Sequence, residues 1–471
     1  MSVDRRTLPV PEPPPGIRFP ELARSELAPG LNLLTVERRE LPLVSLLWLW
    51  HAGTAADRDE TPGLAALTAD LLDEGTASLT MAELHEALAG IGGQLDTDIG
   101  HDATVLSMLA LSSHRERAIE LFVDMAERPR LDEADMTRVR GLRLNRLRQL
   151  RHSASALADL LFMRRLYGAH PYGRPGIGTE ASLQRFGVGD VRAFHKRLGT
   201  TPATLVVVGD ISHDQAVRLI TRHLSTQSRV GHADPPAPAS TGGSRLLFVP
   251  REGAAQSELR LGRVALPRRT PAYHTAVVTN MLLGGAFVSR INLKLREEKG
   301  VTYGARSSFQ FLRLAGPFSV QASIQSDATA ESVRDVLVQL DELGGSRPVT
   351  QDELSSARDA LTRGYARGFE TVEQVARAAA QLALYELPED TFDVFSERIS
   401  AVTSDDVTAL ARQWLRSDDM QGVIVGDPTS SLAGLGAVGL GEPEERLADD
   451  VLSGGFTLAR PPHPFTPQPK A

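Results

Sequence analysis

Two segments of this chain return far downstream. Val207-Val208-Gly209-Asp210 comes back as Ile424-Val425-Gly426-Asp427, and Leu131-Asp132-Glu133 comes back as Gln351-Asp352-Glu353. The offset is about 220 residues in both cases. A shared spacing at two distant points marks a duplication, which limits the architecture to two copies of one unit packed together. Each copy mixes short apolar runs with segments of helical period, so the expected fold class is α+β with two tandem homologous domains.

The elements repeat in order. Strands are expected at 30–36 and 43–50, where Trp48 and Trp50 share one face, then again as a pair marked by Gly92-Gly93 and 103–111, and at 203–210. Helices are expected at 81–90, with Thr80 as N-cap, and at 115–127, 132–151, 156–167, 188–198 and 212–224. In the second copy, strands fall at 246–249, 257–264, 318–324 and 422–427. Helices fall at 273–299, 333–343, 351–368, 372–385 and 404–415. The expected domains are therefore 20–224 and 245–428. A linker rich in Ser, Pro, Ala and Gly joins them at 225–244, and a Gly/Pro-rich tail without a core of its own follows at 429–471.

Composition removes several functions. The 471 residues carry a net charge of -8, so nothing favours nucleic acid. Cysteine is absent, which excludes disulfides and thiolate metal sites. The apolar run 41–50 is too short to cross a bilayer. Arg5 and Arg6 lead into Pro-rich sequence with no apolar stretch behind it, so a cytoplasmic location without a membrane is expected. Gly434, Gly436 and Gly439 spell Gly-x-Gly-x-x-Gly, but Gly-Glu-Pro follows them instead of the helix and strand of a dinucleotide site.

Two stretches carry chemical information. The first is Gly63-Leu-Ala-Ala-Leu-Thr-Ala-Asp-Leu-Leu-Asp-Glu-Gly-Thr76, whose Leu64, Leu67, Leu71 and Leu72 predict a helix stopped by Gly75. The second is Leu283-Gly-Gly-Ala-Phe-Val-Ser-Arg290, continuing to Leu295-Arg-Glu-Glu-Lys-Gly-Val-Thr-Tyr-Gly304. Gly300 is placed to end a helix in a left-handed cap, with Arg296 in the last turn and Tyr303 on a following strand.

Together with the loop His170-Pro-Tyr-Gly-Arg-Pro175, these stretches resemble the pitrilysin/insulinase peptidases, the inverzincins. That family typically reads Gly-Leu-Ala-His-x-x-Glu-His before a closing Gly-Thr. It also shows Leu-Gly-Gly-x-x-x-Ser-Arg-Leu, then Arg-Glu-x-x-Gly-x-x-Tyr. In the H-x-x-E-H motif two His grip zinc from one helix face while the Glu activates water. Here Ala66, Ala69 and Asp70 stand at those three positions, and the third ligand's place falls near Arg146 and Leu147. No two of the twelve His lie within four residues of each other, so no H-x-x-x-H pair exists elsewhere.

The resemblance implies an antiparallel-rich sheet flanked by helices in each domain, the pair forming half of a clamshell. It implies no metal in this chain, with Ala66, Ala69, Asp70 and Arg146 non-functional as ligands. In the two-chain bacterial type, the chain lacking zinc supplies the Arg and the Tyr. Arg296 and Tyr303 are then expected to bind a peptide carbonyl and stabilise its oxyanion in a heterodimer, beside zinc held by a homologous H-x-x-E-H-bearing partner. The rival expectation is a catalytically inert scaffold, like the core subunits of the respiratory bc1 complex.

Overall fold

The most apolar run becomes the strand at the middle of the first sheet, and its opposite faces bury against different domains. A computed structural model describes residues 16–225, 228–231, 237 and 245–447. The first copy runs β1 (Ala23–Ala28), β2 (Leu31–Glu37), β3 (Leu43–Trp50), α1 (Leu64–Ala69), α2 (Met81–Gly90), β4 (Gln94–Ile99) and β5 (Thr104–Leu111). It continues with α3 (Arg115–Glu127), α4 (Glu133–His152), α5 (Ala154–Tyr167), α6 (Glu180–Arg185), α7 (Val188–Gly199), β6 (Ala203–Gly209) and α8 (His213–His223).

The second copy runs β7 (Leu246–Pro250), β8 (Gln256–Val264), α9 (Tyr273–Asn280), α10 (Arg290–Asn292), β9 (Ala305–Phe309), β10 (Pro317–Gln325) and α11 (Thr329–Gly344). Then come α12 (Gln351–Thr362), α13 (Val372–Leu384), α14 (Phe395–Ala401), α15 (Ser404–Trp414), β11 (Gln421–Gly426), α16 (Pro428–Ser431) and the two-residue β12 (Glu444–Glu445).

The sheets repeat one topology. Their orders are β1-β2-β6-β3-β5-β4 and β12-β7-β11-β8-β10-β9. In each, one inner pair is parallel, β2 with β6 and β7 with β11, and β6 and β11 then pair antiparallel with β3 and β8. The copies differ at one edge. β1 adds antiparallel to β2 from the N-terminal side, whereas β12 adds parallel to β7 from the C-terminal side.

Each sheet buries one face under its own helices. Val44, Leu46, Trp48 and Trp50 of β3 point into the first core, with the two indoles stacked 5.5 Å apart. The opposite face carries Leu47 and Leu49 beside Val206 and Val208, and α13 of the second copy covers it through Val375, Ala376 and Ala379. The arrangement is reciprocal. Leu247, Val249, Val423 and Val425 of the second sheet are covered by Leu157, Ala158, Leu161 and Phe162 of α5. The helix after α4 and the helix after α12 are thus exchanged, and each fully buried large side chain contributes about 1.5–3 kcal/mol of transfer free energy.

Several expectations change. The helix from Gly63 ends at Ala69, not Gly75. Leu71 and Leu72 donate three residues back, to Thr68 and Ala69, so the helix tightens into turns while both leucines stay buried. The expected helix 273–299 is interrupted. Its regular part gives way to π-helical segments at Met281–Gly285 and Leu293–Glu298, with a bent connection between them. This stretch is the one, among the described residues, long and apolar enough to cross a membrane, but its apolar face, with Ala276, Leu283, Ile291 and Leu295, lines the second core.

The expected helix 351–368 stops at Thr362, and a 3₁₀ turn at Tyr365–Phe369 takes over. Strand β1 enters without having been expected, while the strands expected after Gly92-Gly93 and around Tyr303 are β4 and β9, beginning at Gln94 and Ala305. Residues 429–447 do have a core to join: Leu435, Val438 and Leu440 are buried in the second domain. Most of the expected linker and residues 448–471 lie outside the described residues. Arg229, inside that linker, packs on the first domain, pairing with Glu127 at 3.0 Å.

Candidate functional site

The start of α1 is held by a buried carboxylate. Asp57 accepts from the backbone N–H of Gly63 at 2.7 Å and of Ala65 at 2.8 Å. Burial pushes its carboxyl up to about 6, and those two hydrogen bonds oppose the rise. Gly63 has φ 90°, and a Cβ there would stand 2.5 Å from Gly178 Cα. The close approach to the 170–178 loop therefore requires glycine.

Ala66 and Asp70 line a cavity of about 1010 Å³, with Arg143 and Arg146 on its wall. Ala69 is buried beside them. Asp70 is taken: Arg143 binds it through Nη2 and, at 3.1 Å, through Nε, and its Nη1 reaches the carbonyl of Ile177 at 3.5 Å. Arg143 is buried while Asp70 is open on the cavity side. Of the two residues counted for the third ligand, Arg146 faces the cavity and Leu147 is in the core. A zinc site needs at least three protein donors. Two alanines, one carboxylate engaged by a guanidinium and a further cation do not fit that ion. Arg143 is the residue the motif-based reading missed. It stands one helical turn before Arg146, so an i−3 scan along the same face would have found it.

The cavity is closed on one side by an interdomain clamp. Tyr172 O–H donates to Asp102 Oδ1, and Arg313 N–H donates to Asp102 Oδ2 at 2.8 Å. Leu314 N–H donates to the Tyr172 hydroxyl at 3.3 Å, and Tyr167 O–H donates to the Ala315 carbonyl at 2.8 Å. The loop 170–175 noted in the sequence thus grips the β9–β10 connection of the other domain. Burial, more than any neighbouring charge, lowers the His101 pKa on the same wall.

The Gly-Gly stretch is built by buried polar contacts. Gly284 passes Ser307 so closely that a Cβ would meet its backbone nitrogen at 2.6 Å. Arg290 is buried and forks onto Glu353, with Nε and Nη2 each 2.8 Å from an oxygen, while donating to the Arg347 and Pro348 carbonyls. Burial works to raise the Glu353 carboxyl, but Arg290 and the Thr350 cap outweigh it and hold it down to about 2. Asn292 ties the loop at both ends, donating to Ala286 at 3.1 Å and accepting from Ala305 at 2.8 Å.

On that scaffold Phe287 and Val288 are 69% and 71% exposed, and Tyr303 is 95% exposed. Gly300 has φ 65°, the expected left-handed cap. Tyr303 lies in the turn before β9, not on the strand, because pairing begins only at Ala305. Arg296 stacks on the Phe287 ring at 3.8 Å and has Glu297 at 3.6 Å. Neither Arg296 nor Tyr303 lines the cavity that holds Asp70.

Known proteins share this plan. The family model described as Insulinase (Peptidase family M16) matches residues 37–180, and that described as Peptidase M16 inactive domain matches residues 185–361. A Mycobacterium leprae protein described as an uncharacterized zinc protease is 27% identical over 406 residues, covering 84% of this chain and 89% of that protein. The crystal structure of a peptidase M16 inactive domain from Pseudomonas fluorescens superposes with a TM-score of 0.80 at 25% identity, over 86% of this chain and 98% of that one. A protease from Helicobacter pylori shares the fold, with a TM-score of 0.78 at 18% identity over 86% of this chain and all of that one. With both its domains matched by models of one family, the chain belongs to the insulinase peptidases, family M16.

Proposed function

We propose that this chain is the non-zinc-binding subunit of a heterodimeric peptidase. It would pair with a homologous H-x-x-E-H-bearing chain that holds the zinc. Its own contribution would be Arg296 and Tyr303, presented toward the partner's site. The observation that supports this reading is the Asp70–Arg143 pair: the carboxylate at the old motif is engaged through Oδ2 by a guanidinium, which disfavours a metal ion beside it.

The second domain meanwhile offers groups suited to a peptide. A guanidinium donates in a fork to a carbonyl. A solvent-facing phenol donates to the oxyanion formed when that carbonyl is attacked. Exposed Phe287 and Val288 beside them provide apolar surface for a bound chain or partner. The alternative, an inert scaffold, draws on the contacts Arg296 already makes with Phe287 and Glu297.

The test mixes the purified chain with its zinc-bearing homologue. Peptide cleavage should require both chains and co-elute with their complex. Arg296→Ala or Tyr303→Phe should cut turnover roughly 100-fold without loss of the complex. Wild-type turnover in both variants would reject the assigned roles and leave the scaffold reading.

A further inference from the structure

Arg268 lies in the loop between β8 and α9, and only 8% of its surface is exposed. Among the described residues no carboxylate pairs with its guanidinium and no acceptor takes its side-chain N–H groups. The one neighbour that offsets the charge is the Tyr273 ring, 3.7 Å from the guanidinium carbon. A guanidinium stays protonated in a protein, and a ring face satisfies little of its five-donor fork. The fork is left to the cavities it borders, where an anionic group would complete it.

The surroundings are shaped to admit such a group. Arg268 and Tyr273 line three cavities. One is the large interdomain cavity. A second, of about 540 Å³, also holds His274 and Arg398. The third, of about 360 Å³, is walled by Tyr365, Phe369, Phe392 and Phe395. Nε2 of His274 is buried without a hydrogen-bond partner. Among the described residues Arg398 likewise has no ion pair. The carboxylates nearby do not answer Arg268: Glu386 is bound to Arg269 at 2.6 Å, and Asp390 sits exposed on the rim. The potential at this point is positive enough for Arg398 and Arg268 to depress His274 further, after burial itself.

We infer that Arg268 is the centre of a binding site for an organic carboxylate, its acid group on the guanidinium with His274 and Arg398 beside it, and its apolar or aromatic part in the pocket of Tyr365, Phe369, Phe392 and Phe395. Its source is a free acid or the C-terminus of a peptide, and the titration below distinguishes the two. This site is independent of the Arg296 and Tyr303 reading, because it lies within one chain and needs no partner.

The experiment is calorimetric titration of the full-length chain with N-acetylphenylalanine, its amide, a peptide ending in phenylalanine, and inorganic phosphate. The acid should bind saturably, the amide at least 10-fold more weakly, and phosphate more weakly than the acid. A peptide binding tighter than the acid identifies the peptide C-terminus as the source, and a weaker one identifies the free acid. Arg268→Met should abolish acid binding. Arg398→Gln, an exposed change that should not disturb folding, should weaken it about threefold. The inference is overturned if the acid does not saturate, if acid and amide bind alike, if phosphate binds best, or if the acid binds Arg398→Gln and a folded Arg268→Met as it binds wild type.

Discussion

The two domains share a sheet order yet treat their polar groups in opposite ways. In the first, the face of α1 that borders the cavity is neutralised internally: Asp70 answers Arg143, and Ala66 and Ala69 contribute only bulk. In the second, the charged residues of the corresponding work are sorted. Arg290 is buried and fully occupied by Glu353 and two carbonyls, whereas Tyr303, Phe287 and Val288 are left facing solvent. The difference teaches that duplicated folds keep what packs and vary what protrudes. In the first domain an ion pair fills the space beside two alanines, whereas the exposed aromatics of the second leave apolar surface facing solvent.

The exchanged helices give the sharpest way to break the comparison. Ala158 on α5 and Ala379 on α13 are both fully buried against the opposite sheet. Ala158→Glu and Ala379→Glu each place an unpaired carboxylate in an apolar interface and should cost about 3–5 kcal/mol, read by denaturant unfolding. Similar losses would confirm the reciprocity. A loss below about 1 kcal/mol in only one of them would show that one copy stands without the other's helix.

Acid should come next in size. Burial, followed by nearby arginines, holds His51 and His274 down to about 4 from 6.5. Between those values the folded chain binds fewer protons than the unfolded one. Their contribution is thus complete above pH 6.5 and lost as the pH falls toward 4, of order 2 kcal/mol each once partial exposure is discounted. Asp57 and Asp73, both in the first domain, are raised to about 6, chiefly by burial, and act in reverse, losing stability as pH climbs from 4 to 6. His274→Gln should flatten the acid-side decline in unfolding free energy. An unchanged slope between pH 4.5 and 7 would refute that assignment.

Smaller effects test the site itself. Asp70→Ala should destabilise by about 1 kcal/mol, because Asp70 is half open to solvent although Arg143 is not. Stability unchanged in that variant would mean the pair is ornamental. Tyr303→Ala and Phe287→Ala should shift unfolding by less than about 0.5 kcal/mol, in contrast to Asp70→Ala, since they protrude. Last, a chelator should leave the thermal midpoint of the isolated chain in place, and elemental analysis should find no stoichiometric zinc. A drop in the midpoint with zinc released would reverse the account of Ala66, Ala69 and Asp70.

Much of the fold was legible because the strongest signals were local. The period of 115–127, the cap at Thr80 and the apolar run of β3 each appear almost at their expected bounds. The edge strand β1 was hidden because it reads Ala-Arg-Ser-Glu-Leu-Ala, mostly polar, and pairs only through tertiary context. At the candidate site, the departure from H-x-x-E-H is read directly from Ala66, Ala69 and Asp70. The partner of Asp70 could not, since Arg143 is 73 residues away in sequence.

By itself the sequence determined the duplication, most of the strands, the family and the departure from H-x-x-E-H, because periodicity and residue chemistry are properties of neighbouring positions. Only the tertiary structure decided that α5 and α13 trade sheets, that Arg143 occupies Asp70, and that Arg268 is buried without a counter-charge. Those outcomes depend on which distant surfaces exclude water together, and burial, not chain order, sets the cost of a charge.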